Sequence, residues 1–320
     1  MKTLGICIPT YRRPALLRRC VQSAIASAGS RPIRIFVADD SMSDVNDAVR
    51  KELIVANPFV HWQRNDRNLG IDTNIQRAVD LCDCDYAWLI GEDDVFLPGA
   101  VGRMHDLIQT LDVSFVFANY RYADDNPDRV LGTALDTNLV SPVPRDLFIA
   151  KHLWAIGFIG ACVVSKHAWA ATDAAPYVGT YYTHVGRISE MIARTAAVVA
   201  VGAPCVANRV EGKDTFTWKK DSYGVFFGFL DMCRRVAERL PTLGPAMEQA
   251  GRGFERQFRW LSLRVAARLR SEQAFDHAQF IKYLRYSRVG AFRRLMFFVI
   301  SISPPALFHA MVRLYRAARH

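Results

Sequence analysis

The stretch Tyr86-Ala87-Trp88-Leu89-Ile90-Gly91-Glu92-Asp93-Asp94 runs five apolar residues into three carboxylates, then continues as Val95-Phe96-Leu97-Pro98-Gly99. A short apolar run bounded by polar segments reads as a buried strand. Carboxylates crowded where such a strand emerges repel one another and lose hydration, so they call for a cation or strong donors. An oxygen-rich site with few carboxylates suits Mg2+ or Mn2+, whose other positions water and nucleotide phosphates fill. The plainer alternative is a solvated loop with Pro98 opening the next helix.

Working outward from this segment, apolar runs alternate with amphipathic ones. Leu4–Ile8, Ile33–Ala38, Val60–Arg64, Tyr86–Ile90 and 113–119 read as strands, and Pro14–Ala28, Asp44–Ala56, 71–82 and 98–111 as helices. This alternation predicts a parallel α/β sheet, in which ligands bind beyond the carboxyl ends of the strands. The polar interruptions fall at those ends: Pro9-Thr10-Tyr11-Arg12-Arg13, Asp39-Asp40-Ser41, Asn65-Asp66-Arg67-Asn68 and Glu92-Asp93-Asp94. Four loops should therefore converge on one rim.

Two of these loops have bland readings beside functional ones. Asp39 and Asp40 either cap the next helix or accept from the ring N–H of a pyrimidine. Asn68-Leu69-Gly70 is either a turn, since Asn and Gly tolerate left-handed backbone, or a wall where Arg67, Asn68 and Asn74 line a base or ribose and Gly70 lets the ligand approach.

Residues 121–144 are rich in Asp, Asn and Pro and suit an excursion over the rim. A strand at Phe158–Val164 follows, then a loop through Tyr181-Tyr182-Thr183-His184 into a helix near Arg187–Thr195, and a strand at Val198–Val201. From about Asp221 the pattern is helical, so the expected division is 1–220 and 221–320.

A chain of 320 residues, 51% of them hydrophobic, can bury a large core. Its formal charge of +10 is unevenly spread: residues 251–320 hold 14 Lys or Arg against 3 Asp or Glu, a net of +11, while the first 250 residues net −1. In that tail Arg alternates with large apolar residues, as in Phe292-Arg293-Arg294-Leu295-Met296-Phe297-Phe298 and Leu307–Arg316, a mixture that favours an anionic membrane surface over nucleic acid. The plainer alternative is a helical subdomain whose Arg stems cover apolar surface. No apolar run reaches the ~20 residues that a membrane-crossing helix needs. The beginning of the sequence resembles no signal peptide, and the 7 scattered cysteines, without a Cys-x-x-Cys pair, suit a reduced cytoplasmic setting rather than structural zinc.

Together Ile8-Pro9-Thr10-Tyr11-Arg12-Arg13, Val37-Ala38-Asp39-Asp40-Ser41, Asn68-Leu69-Gly70 with Asn74, and Trp88-Leu89-Ile90-Gly91-Glu92-Asp93-Asp94 with Leu97-Pro98-Gly99 resemble the family 2 glycosyltransferases of GT-A fold. The resemblance covers residues 1–119 well, reaches about residue 208 more loosely and leaves the helical tail unmatched. Gly70-Ile71-Asp72-Thr73-Asn74-Ile75 combined with Trp88-Leu89-Ile90-Gly91-Glu92-Asp93-Asp94 looks like the transferases that add dideoxyhexose branches, such as abequose, to O-antigen repeats on a lipid carrier.

The resemblance implies a Rossmann-like GT-A sheet, and the basic amphipathic pattern after it reads as a C-terminal helical, membrane-associating region. It implies inverting transfer from a nucleotide-diphosphate sugar to a saccharide, with a polyprenyl-diphosphate-linked acceptor at the inner face of the cell membrane. Asp39 or Asp40 would contact the base; Pro9, Thr10, Tyr11, Arg13, Arg67, Asn68, Gly70 and Asn74 would line the donor; and Asp93, assisted by Asp94, would hold Mn2+ or Mg2+. Gly91 stands where the family's Asp-x-Asp-Asp motif begins, so the ribose contact falls to Glu92. The family's catalytic base, normally in a Glu-Asp pair before a late helix, has no counterpart in Tyr181–Val185. His184 is a substitute that titrates near neutral pH, competing with capping, packing and metal-binding roles, and Glu190 is the next carboxylate. Arg209, Lys213 and Trp218, with Lys219, lie in a loop expected to close over the donor, where positive charge stabilises a departing diphosphate. The rival readings are a catalytically inactive nucleotide-sugar or glycan scaffold, supported by the missing Glu-Asp pair, and a sugar nucleotidyltransferase, which would want a Gly-rich loop where Pro9-Thr10-Tyr11 stands.

Overall fold

The computed structural model describes residues 1–139, 141–210, 221–284 and 289–309. Among these described residues ten strands and twelve α-helices follow one another, beginning β1 (Leu4–Thr10), α1 (Pro14–Ala28), β2 (Arg34–Asp39), α2 (Asp47–Ala56), β3 (Val60–Arg64), α3 (Ile71–Asp80), β4 (Tyr86–Leu89), β5 (Val95–Phe96), α4 (Ala100–Thr110) and β6 (Phe115–Ala123). Then come β7 (Val130–Thr133), β8 (Val143–Pro144), α5 (Arg145–His152), β9 (Cys162–Ser165), α6 (Lys166–Ala170), α7 (Thr183–Ile192) and β10 (Ala197–Arg209). The remainder is helical: α8 (Ser222–Arg239), α9 (Gly244–Phe258), α10 (Leu263–Ser271), the short α11 (His277–Gln279) and α12 (Ala291–Ile302).

The sheet order is β3-β2-β1-β4-β9-β6-β10-β5, with β7 on β6 and β8 on β10. β1, β2, β3 and β4 are parallel, as the alternation of strand and helix predicts. The all-parallel expectation fails beyond β4. β9 lies antiparallel between β4 and β6, and β5 runs antiparallel to β10. The strand expected over Phe158–Val164 begins only at Cys162, because Leu153–Gly157 and Ile159–Ala161 wind into 3-10 turns first.

Local chemistry explains the first half. α1 opens with Pro at its first position and ends at Gly29, whose φ of 61° favours glycine; Leu17, Cys20, Val21, Ala24 and Ala28 form its buried stripe. β1 is buried at every residue but Pro9, as suits a strand in the middle of the sheet. Its register aligns Thr10 with Asp39, and that of β2 aligns Asp39 with Arg64. Three polar side chains thus reach one rim in a row.

The boundary expected near residue 220 falls inside one core. Phe226, Phe229, Met232 and Val236 of α8, with Met247 and Phe254 of α9, belong to the apolar cluster that packs the sheet. A second cluster gathers Tyr223, Ala266, Leu269, Phe275, Leu284, Phe297 and Ile300. No helix among the described residues is long and apolar enough to cross a membrane.

Candidate active site

At the carboxyl end of β1, Thr10 Oγ1 and the Tyr11 N–H both donate to Glu92 Oε2, the latter at 3.0 Å. Arg12 takes a left-handed φ of 62° and donates its N–H to Ser41 Oγ at 2.8 Å, joining the β1 and β2 loops. Glu92 is buried, and burial pushes its carboxyl up to about 8 despite Thr10, Tyr11 and Arg13. Pro9 and Tyr11 are half-buried beside it.

The adjacent carboxylates of the β2 end have different partners. Asp40 accepts from Leu69 N (2.7 Å) and Asn65 Nδ2 (3.0 Å) on Oδ1 and from Gly70 N (3.0 Å) on Oδ2, so it is spent on folding the 65–70 loop. Asp39 Oδ1 accepts from Ser41 N and Asn46 Nδ2, whereas its buried Oδ2 has no hydrogen-bond partner among the described residues and only Arg64 Nε at 3.9 Å. Of the two, Asp39 retains an acceptor for a ligand.

Asn74, expected to line a base or ribose, is instead part of the scaffold. It is buried, donates to Ala38 O at 3.1 Å and accepts from Asn65 Nδ2 at 2.9 Å, which ties α3 to the ends of β2 and β3. Asn68 is exposed and accepts from Gly70 N; Arg67 is exposed beside it. Gly70 needs its glycine for a φ of 76°, since a Cβ there would meet open space.

Beyond β4, guanidinium groups surround the carboxylates. Arg13 Nη1 lies 2.8 Å from Asp93 Oδ2, Arg209 Nη1 lies 4.0 Å from the same oxygen, and Arg19 Nη2 donates to the Asp93 carbonyl at 2.9 Å. Arg209 also donates its backbone N–H to Asp94 Oδ1 at 2.9 Å and pairs with Asp125 at 2.6 Å. Asp94 is buried, and burial, reinforced by Asp93, raises its carboxyl well above the usual range. Arg209, expected in a loop closing over the donor, is the buried last residue of β10. Gly91 is bounded by this arrangement: a Cβ there would lie 2.6 Å from Asp94 Oδ2 and 3.1 Å from Asp93 Oδ1.

Among the described residues no three His, Cys, Asp or Glu side chains gather as a ligand set. Asp93 and Asp94 nonetheless fit a divalent ion bound chiefly by phosphates and water, because both are hard oxygen donors on one short turn.

His184 is not placed to act as a base. It is buried in α7, its Nε2 bonds to Ile156 O at 2.9 Å, and burial lowers its imidazole to about 4. Packing explains it better than proton transfer. Glu190, two turns further along α7, accepts from Tyr177 Oη (2.7 Å) and Arg239 Nε (3.2 Å). Lys213, Trp218 and Lys219 lie outside the described residues.

The carboxylate at the start of α7 comes from α3. Asp72 accepts from Gly179 N (2.9 Å), Tyr181 N (3.0 Å) and Thr183 N (3.4 Å), pinning the turn where Tyr181 holds a strained φ of 67°. It borders a cleft of about 570 Å3 lined also by Gly70, Tyr181, Asp221, Phe227 and Tyr283. Asp72, Arg19, Arg64 and Asp125 escaped sequence reasoning as site residues; Asp72 stood inside a quoted motif, but nothing local marks the other three.

Solved structures of Staphylococcus aureus TarS are similar in fold. TarS residues 1–349 superimpose with a TM-score of 0.60 over 99% of this chain and 92% of that one, and the complex with UDP-GlcNAc gives 0.61 over the same shares, both at 9% identity. Such a likeness carries the fold, which is GT-A. Residues 5–156 match the model of glycosyl transferase family 2. Abequosyltransferase RfbV of Salmonella typhimurium is 25% identical over 197 residues, 57% of this chain and 59% of that protein. The uncharacterized protein MT1568 of Mycobacterium tuberculosis is 27% identical over 123 residues, 38% of each chain. The chain thus spans less than two thirds of the length of these curated relatives.

Proposed function

We propose that the protein is an inverting glycosyltransferase that moves a sugar from a nucleotide-diphosphate donor to a saccharide acceptor in bacterial surface polysaccharide synthesis, with the acceptor carried on a polyprenyl diphosphate. The observation that carries this reading is the row at the rim: Asp39 with a spare buried oxygen, the Thr10–Glu92 pair and the Arg13–Asp93 pair, set side by side by strand register. Asp39 Oδ2 accepts the ring N–H of the base, Glu92 takes the ribose hydroxyls, and Arg13 and Arg209 face the diphosphate. Asp93 and Asp94 would hold Mn2+ or Mg2+, which when bound offsets the charge of the leaving diphosphate.

In the transfer an acceptor hydroxyl oxygen attacks the anomeric carbon as the bond to the diphosphate oxygen breaks. The hydroxyl proton passes to a carboxylate, a role we assign to Asp72, which borders the cleft and is oriented by three backbone N–H groups. Support for a sugar-nucleotide donor comes from the UDP-GlcNAc complex of TarS, and for an O-antigen setting from the name of the abequosyltransferase.

Calorimetric titration with UDP, CDP, GDP and dTDP, with and without Mn2+, tests the reading. Binding of one nucleotide that strengthens with Mn2+ and fails in Asp39→Asn is expected; no binding of any of the four overturns it.

A further inference from the structure

α12 has two apolar faces, and the C-terminal core uses one of them. Phe297 and Ile300 are buried against α10 and the 275–284 segment, and Arg270 Nε bonds to Ser303 O at 2.8 Å, which fixes the end of the helix. Phe292, Leu295, Val299 and Ile302 point the other way, with 75%, 56%, 41% and 54% of their surface exposed. At about 100° per residue these four fall within a stripe roughly 80° wide, running about 15 Å along the helix. Leu307, 58% exposed, follows in sequence past the helix end.

Exposed apolar residues in a continuous stripe mark an interaction surface rather than ordinary scatter. The charge around it selects the partner. The stripe sits in the region of net +11, and Arg293, Arg264 and Arg268 on α12 and α10 are exposed. A straight apolar ridge set in positive charge fits a planar anionic interface, into which the side chains insert while Arg meets headgroups. No described helix is long and apolar enough to span the bilayer, so α12 would lie flat.

We propose that the α12 stripe of Phe292, Leu295, Val299 and Ile302 docks the protein on an anionic lipid surface. This inference does not depend on the glycosyltransferase reading, because nucleotide titration probes one and vesicle sedimentation the other. The test uses the full chain with vesicles of phosphatidylcholine, alone or mixed with phosphatidylglycerol at about two to one. Sedimentation only with the anionic vesicles is expected. It should fall at least about tenfold in the Phe292→Glu, Leu295→Glu double variant, while Arg293→Gln weakens binding chiefly at low salt. Both variants alter exposed side chains, so thermal melting should be unchanged. Equal sedimentation of wild type and double variant, or none with either vesicle, overturns the proposal. So does a wild-type dimer that becomes a monomer in the double variant, since the stripe would then be covered by a second copy of the chain.

Discussion

Arg13 and Asp93 meet at 2.8 Å between the first and fourth strand ends, so the cation that offsets the Asp93 charge comes from the neighbouring loop of the same chain. Asp93 is therefore paired before any ligand arrives. Asp93→Ala removes a candidate metal oxygen and also releases Arg13. Its nucleotide affinity in Mn2+ should drop at least about tenfold, or 1.4 kcal/mol, whereas affinity without metal should hold or rise. Calorimetry under the two conditions reads both; an equal loss in each would assign Asp93 a purely structural role.

The neighbours Asp39 and Asp40 should separate in mutagenesis. Asp40→Asn puts an amide against the Gly70 N–H or the Leu69 N–H and should cost about 1–3 kcal/mol of stability. Asp39→Asn should leave the melting temperature closer to wild type and lose nucleotide binding. Paired denaturation and titration of both variants decide the assignment.

Restoring the family's Asp at the head of the acidic motif should harm this protein. The added Cβ of Gly91→Asp would lie 2.6 Å from Asp94 Oδ2, and the new carboxylate would join two others. We expect a loss of about 1–3 kcal/mol and no gain in Mn2+ affinity, read by urea denaturation and metal titration.

Asp72→Asn should reduce acceptor-dependent transfer by about 100-fold or more while nucleotide binding stays near wild type, as expected for loss of a general base. Because Asp72 also fastens the turn into α7, stability should fall by about 1 kcal/mol. Transfer rates that track only the folded fraction would reduce Asp72 to a cap.

His184 gives a pH signature. Its imidazole is lowered from 6.5 to about 4, so the unfolded chain binds the proton that the folded chain refuses. The neutral form's contribution to stability is complete above 6.5 and is lost as pH falls toward about 4. Denaturation across that window should show stability falling with acid, with a shallower slope in His184→Gln. Transfer activity per folded molecule should survive that substitution.

Much of the sheet-forming half was legible. α1 and β3 fall on their expected bounds, and β1, β2 and β4 within two residues, because buried parallel strands and Pro- or Gly-bounded helices carry local signals. β9 was misplaced and its direction missed, since its neighbours β4 and β6 are set by contacts far along the chain. The carboxylates of the rim were legible as a group because they interrupt apolar runs. Their division of labour was not: whether Asp39 or Asp40 is spent depends on where the 65–70 loop folds back. His184 misled because a helix-start histidine looks accessible until the Ile156 carbonyl is packed over it.

Arg209, at the far end of β10, gives its backbone N–H to Asp94 and its guanidinium to Asp125. The stretch that matches the family model stops at residue 156, before that arginine and before β9, which fills the gap between β4 and β6. A fragment trimmed to the family match would lose β9 and β10, bare the edges of β4, β5 and β6, and leave Asp94 without its donor. Expression of the sheet-forming half alone should therefore run at least through residue 209, and a shorter piece is expected to aggregate rather than bind nucleotide.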